Sequence, residues 1–249
     1  MKRNIKLTIE YDGTDFEGWQ IQKKGHRTVQ GEIEKALRQI FKKSTRLIGA
    51  GRTDSGVHAF GQVAHFKVHS KMELAEIQRA LNANLPGDIV VRQIAAVPLN
   101  FHAQYKVKTK TYRYTILNRW EPSAQLRNFC WHVPRPVNVA LLRREAKELI
   151  GRKNFRSFMA ADPAFTKDKN TVRTVQSLTI RKKADFIYID ITGDGFLYKM
   201  VRTITGTLVQ IGQGRLPPGS IKNILRKKDR RFAGYTAKPQ GLCLLEIKY

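Results

Sequence analysis

The chain has 249 residues, 41% of them apolar, enough to bury a sizeable core in one large domain or two of ordinary size. Lysine and arginine number 46 against 20 acidic residues, a formal charge of +26, which points to a polyanionic partner, nucleic acid first. Two cysteines, Cys130 and Cys243, with no Cys-x-x-Cys pair give no support to a disulfide framework or a zinc site, and no apolar run is long enough to span a membrane. A cytoplasmic protein is therefore expected. The basic residues are spread along the chain, at Lys23-Lys24, Lys42-Lys43, Lys106 to Arg113, Arg143-Arg144, Lys167 to Arg173, Arg181 to Lys183 and Arg226 to Arg231. Interleaved with apolar residues, they predict a folded body with a broad positive face rather than a disordered basic arm.

Over residues 4–12, Ile5, Leu7, Ile9 and Tyr11 alternate with polar neighbours and predict a half-buried first strand. A polar loop follows through Gly13, Gly18 and Gly25; Asp12, Asp15 and Trp19 are candidate substrate contacts there, with loop packing the plainer role for Trp19. Thr28 then reads as the N-cap of a helix with Ile33, Leu37, Ile40 and Phe41 on its apolar face, closed by Lys42-Lys43. Strands are expected near 45–51 and 59–68. Ser70 to Glu73 reads as a capping box opening a helix through Leu74, Ile77, Ala80 and Leu81, stopped by Pro86-Gly87. Asp88 to Val97 supplies another strand. The order β-α-β-β-α-β is the ferredoxin-like unit, assigned to residues 1–104.

Residues 105–249 repeat the plan more loosely. Lys110 to Ile116 is a strand, Val139 to Ile150 an amphipathic helix ended by Gly151, and strands at 172–182 and 185–192 form a hairpin. Between them runs a loop with Phe155, Phe158 and Asp162-Pro163. Phe196 to Gly212 is a helix with Met200, Val201, Ile204, Leu208 and Ile211 on its buried stripe; a shorter one runs from Pro217-Pro218 to Lys227, and Leu242 to Ile247 is the last strand. The expected fold class is α+β: two ferredoxin-like halves forming an extended, mainly antiparallel sheet, with helices on one face and a central positively charged cleft.

Between the second and third strands lies Gly49-Ala50-Gly51-Arg52-Thr53-Asp54-Ser55-Gly56-Val57-His58. Three glycines permit tight backbone paths around one carboxylate and one guanidinium. Asp54 beside Arg52 is the candidate catalytic group, since a neighbouring cation favours the ionised acid and fixes its orientation. The plain alternative is hairpin turn chemistry. No Lys-Ser or Lys-Thr closes a phosphate-binding loop of the Walker type. His65 and His69, four apart on one strand face, are two candidate metal ligands without a third, so no metal is expected.

The run from Gly51 to His58 resembles the signature of the TruA-type tRNA pseudouridine synthases, whose aspartate is essential. Thr111-Tyr112-Arg113-Tyr114 is similar to the family's second motif, Phe196 to Arg202 to its third, and Gly241-Leu242-Cys243-Leu244 to its C-terminal apolar strand. The residue after Asp54 is serine where alanine is frequent, a small-for-small difference. The resemblance implies isomerisation of uridine to pseudouridine at positions 38, 39 and 40 of the tRNA anticodon stem-loop, by a homodimer that needs no cofactor. It makes Asp54 the catalytic residue, places Tyr112 on the target base, and gives Arg52 and Arg202 as electrostatic partners. Asp54 could attack C1′ or assist removal of a sugar proton through a glycal; the sequence leaves both open. Reaching a buried acid requires the base to leave its stack. A noncatalytic tRNA-binding protein on the same scaffold is the alternative. No RNP1 pattern of a sheet-surface RNA-recognition domain is present.

Overall fold

The computed structural model describes residues 2–22, 25–161 and 170–249; Lys23-Lys24 and the Asp162-Pro163 loop with Lys167 lie outside the described residues. The chain divides into two units, Met1–Lys108 with Cys243–Tyr249, and Thr109–Leu242.

The first unit contains β1 (Lys2–Tyr11), α1 (Val29–Phe41), β2 (Ile48–Gly49), β3 (His58–His69), α2 (Leu74–Asn84) and β4 (Ile89–Val97). Strand β1 pairs antiparallel with β3, Ile5 opposite Phe66 and Leu7 opposite Ala64, and on its other edge with β4. Because side chains alternate along a strand, this register places Ile5, Leu7, Phe66 and Ala64 on one face, where all four are buried. Helix α1 starts as its sequence dictates: the Thr28 hydroxyl accepts from Gly31 N–H at 3.3 Å. The apolar stripe of α1 (Ile33, Ala36, Leu37) and that of α2 (Ile77, Leu81) are buried, each large side chain contributing about 2–3 kcal/mol. The cap of α2 is Glu73 rather than Ser70, and the Glu76 carboxylate accepts Glu73 N–H at 3.0 Å. The expected Ser-x-x-Glu box competes here with an overlapping Glu-x-x-Glu box that abuts the helix.

The second unit contains β5 (Thr109–Leu117), β6 (Trp131–His132), α3 (Val139–Ala146), β7 (Gly151–Asn154), β8 (Val172–Lys183), β9 (Phe186–Gly193), α4 (Met200–Gly212) and α5 (Ser220–Lys227). Strand β9 pairs antiparallel with both β5 and β8, β7 pairs antiparallel with β8, and β6 lies parallel to β5. The tight β8–β9 turn is made by Ala184 at φ 48°. Helix α4 begins four residues later than the apolar pattern suggests, because Lys199 takes a left-handed conformation (φ 55°) and Leu197 to Met200 close a separate turn. Buried on nearly every side from Met200 to Val209, α4 is the core of this unit. Glu145 of α3 is buried and accepts Gly219 N–H at 2.7 Å, satisfying backbone at the start of α5.

The last strand is β10 (Leu242–Lys248). Cys243 and Leu244 pair in parallel with His58 and Ala59 of β3. Tyr249 donates its hydroxyl to Ala103 O at 2.7 Å, and Lys108 N–H donates to Lys248 O. The described residues thus form a mixed α/β fold with five α-helices and mainly antiparallel strand pairing.

Candidate active site

The loop carrying Asp54 is gripped by the preceding loop of the first unit. Trp19 N–H donates to Thr53 O at 3.1 Å, Gly56 N–H to Phe16 O at 3.3 Å, and Gly13 N–H to His58 Nδ1 at 3.0 Å. On its inner side Gln62 Nε2 donates to Gly51 O at 3.0 Å, and the Tyr11 and Thr53 hydroxyls share a hydrogen bond of 2.7 Å. Phe16 and Trp19 are buried beneath the loop, Trp19 tilted against Tyr11, and Gly49 gives the indole its room. Two glycines make this grip possible. A β-carbon on Gly13 would overlap the Val57 carbonyl, and Gly18, at φ +96°, sits directly against Thr53 and Asp54.

Within this frame Val57 N–H turns back to Asp54 O at 3.2 Å, and Gly56 takes the left-handed conformation (φ 73°) that closes the turn. Asp54 is half-buried rather than buried, and Arg52 is exposed. The backbone of the turn is fixed by these contacts while Asp54 itself is only half-buried. Burial pushes the Tyr11 phenol upward, so it stays a neutral hydrogen-bonding post under Thr53.

In the second unit Tyr112 lies buried on β5 opposite Ile191, its ring meeting Phe196 edge-on at 5.3 Å. The structure thereby joins the second sequence motif to the third. The neighbouring Arg113 faces the other way and forms a bidentate pair with Asp190, at 2.8 and 2.9 Å. Arg202 is a buried cation in the first turn of α4, where the helix end does not favour positive charge. Its Nε donates to Ala237 O at 2.8 Å, and Ala237 N–H donates to Arg202 O at 3.1 Å. Segment 234–238 can lie this close because a β-carbon on Gly206 would overlap the Tyr235 carbonyl. Burial raises the Tyr114 phenol well above its usual range, the Arg202 charge partly opposing it, and the phenol donates to Lys238 O at 2.6 Å.

The loop contacts of Gly13, Phe16 and Gly18 were not legible as site features, though two apolar aromatics set between glycines in a polar loop are the signal that points to them, and Trp19, a candidate contact with packing as its plainer role, is buried. His65 and His69 do not converge. His65 is buried and accepts Ala103 N–H at 3.2 Å, whereas His69 is exposed. Among the described residues no group of three His, Cys, Asp or Glu side chains is placed to hold a metal ion.

A family model described as tRNA pseudouridine synthase matches residues 7–106 and 146–249. The chain belongs to the tRNA pseudouridine synthase family. A tRNA pseudouridine synthase A of Thermoanaerobacter sp. (strain X514) is 46% identical over 247 residues, covering 99% of this chain and 100% of the relative. A Geobacillus sp. (strain WCH70) protein of the same name is 42% identical over 250 residues, covering 100% and 99%. In this pseudouridine synthase family member the Asp54 loop and Arg202 lie within the matched sequence, and Tyr112 falls between the two matched stretches. Among the described residues no helix is long and apolar enough to cross a membrane.

Proposed function

We propose that the chain converts uridine to pseudouridine at positions 38, 39 and 40 of the tRNA anticodon stem-loop, with Asp54 as nucleophile. The N1–C1′ bond breaks, the uracil turns, C5 bonds to C1′, and the C5 proton is released as N1 gains one. An anionic side chain at C1′ offsets the positive character that develops there as the base departs. The observation that carries the reading is the glycine-clamped Asp54 turn, whose backbone is fixed while Asp54 is only half-buried. Preorganisation of this kind avoids reorganisation cost in the transition state.

The remaining roles follow the motifs. Tyr112 contacts the target base, its buried ring braced by Phe196. Arg52 and Arg202 act as electrostatic partners, Arg52 at the exposed substrate side of the loop and Arg202 from within the helical core. The same reading takes the two halves as ferredoxin-like units, the positive charge as the lining of a cleft for tRNA, and the working form as a cytoplasmic homodimer.

The deciding experiment supplies tRNA tritiated at uracil C5 and no added cofactor. Wild-type protein should release tritium, and Asp54→Asn should reduce release at least about a thousandfold while tRNA affinity stays within about threefold. Tight tRNA binding by the wild type without tritium release identifies a noncatalytic binder. Substantial release by Asp54→Asn removes this carboxylate from the chemistry.

A further inference from the structure

The segment of the second unit between β5 and β6 carries a side-chain arrangement that folding does not require. Trp120 is 77% exposed, whereas the other two tryptophans, Trp19 and Trp131, are buried at 2% and 8%. A single exposed apolar residue is ordinary. Here, however, the backbone that presents it is tied down on several sides. Asn118 N–H donates to Asp185 O at 2.7 Å, and its amide donates to the Val133 and Arg135 carbonyls at 2.8 Å each. His132 Nε2 lies 2.9 Å from Arg119 O, Arg119 Nε donates to Glu121 O at 3.0 Å, and Leu126 N–H donates to Ser123 Oγ at 3.1 Å.

The surroundings are cationic. Arg127 is exposed on the segment, Arg135 is exposed just beyond β6, and Lys182 and Lys183 are exposed at the end of β8, next to Asp185. Asp185 itself is matched by Arg119 at 3.4 Å, which leaves Glu121 as the acid of the segment against those four cations. The family match passes over this stretch, since its two parts end at residue 106 and resume at residue 146.

We propose that this segment is a second RNA contact, in which Trp120 stacks on an unpaired base of the tRNA and the flanking arginines and lysines hold adjacent phosphates. An exposed indole on a segment with an excess of basic residues suits a nucleic acid, because every base offers a π-face and every linkage an anion. The inference rests on the proposed action on tRNA, and its test separates the two.

Because Trp120 is the exposed one of three tryptophans, its fluorescence quenching by the neutral solute acrylamide reports on this segment directly. Saturating tRNA should protect it, and Trp120→Phe, which keeps an aromatic face, should remove the quenchable component with little loss of affinity. Trp120→Ala should weaken tRNA binding roughly five- to a hundredfold, with the kinetic loss confined to KM. Unprotected Trp120 under conditions where tRNA binds and pseudouridine forms overturns the contact and leaves the catalytic reading standing. Protection with no pseudouridine formed does the reverse. Protection that grows with protein concentration in the absence of RNA makes the segment a face for a second copy of the chain, and also overturns the proposal.

Discussion

Asp54 and Arg202 are both held by a backbone segment lying closer than a side chain would permit, but the two supports differ in kind. Under Asp54 the support is another loop, fastened by Gly13 and Gly18 to the turn itself, and Asp54 is only half-buried. Around Arg202 the support is a helix buried along most of its length, with segment 234–238 laid across Gly206, and the cation is enclosed. Fixing a loop positions a group without removing it from solvent. Fixing a group in a helical core makes it part of the unit's stability as well.

Alanine at the two close-approach glycines tests this contrast. Gly13→Ala should displace the Asp54 turn and lower turnover about a hundredfold, the scale expected for a misplacement of about 1 Å, while the unit stays folded. Gly206→Ala creates the same kind of overlap but should appear mainly as about 1–3 kcal/mol of lost stability in urea unfolding. Equal effects of both on turnover and stability would erase the distinction. Arg202→Lys keeps the charge but not the Nε donor to Ala237, and an expected cost of about 1–3 kcal/mol measures how far the enclosed cation is structural.

A smaller effect should come from His65. Burial, with His102 and Lys67 adding repulsion, lowers its pKa to about 4, and its Nδ1 accepts a hydrogen bond that protonation there would remove. The unfolded chain takes up this proton near pH 6.5 and the folded chain only near 4. Stability should therefore be intact above about pH 6.5 and fall by up to about 2 kcal/mol toward pH 4. His65→Asn should flatten that slope in denaturation curves taken across the range. The smallest effect, and of opposite sign, belongs to Thr205 on α4, whose buried hydroxyl has no hydrogen-bond partner among the described residues. Thr205→Val should be neutral or stabilising by up to about 1 kcal/mol in thermal unfolding.

Local chemistry was legible in the sequence where it was decided locally. The alternation of β1, the Thr28 cap, the stripe of α1 and the glycine-rich turn around Asp54 all follow from neighbours a few residues apart. The two-residue β2 is much shorter than the expected strand at 45–51, and β6 and β7, of two and four residues, escaped notice because such short segments hold no periodicity. The burial of Arg202 was not legible either: an arginine in an amphipathic pattern reads as a surface cation until Ala237, 35 residues on, is seen to accept from it. The Asp54 loop was visible as a motif, but its rigidity depends on glycines some forty residues earlier, where sequence proximity gives no hint of contact.

The pairing of Cys243 and Leu244 with His58 and Ala59 also sets an order of events on the ribosome. At His58 and Ala59 the strand that leaves the Asp54 turn lacks its β10 partner until residues 243–244 have been synthesised, although the rest of its unit up to residue 108 emerges far earlier. A nascent chain therefore carries Asp54 on an unfinished sheet while residues 109–242 are being made, and the framework is finished only once residues 243–244 have followed.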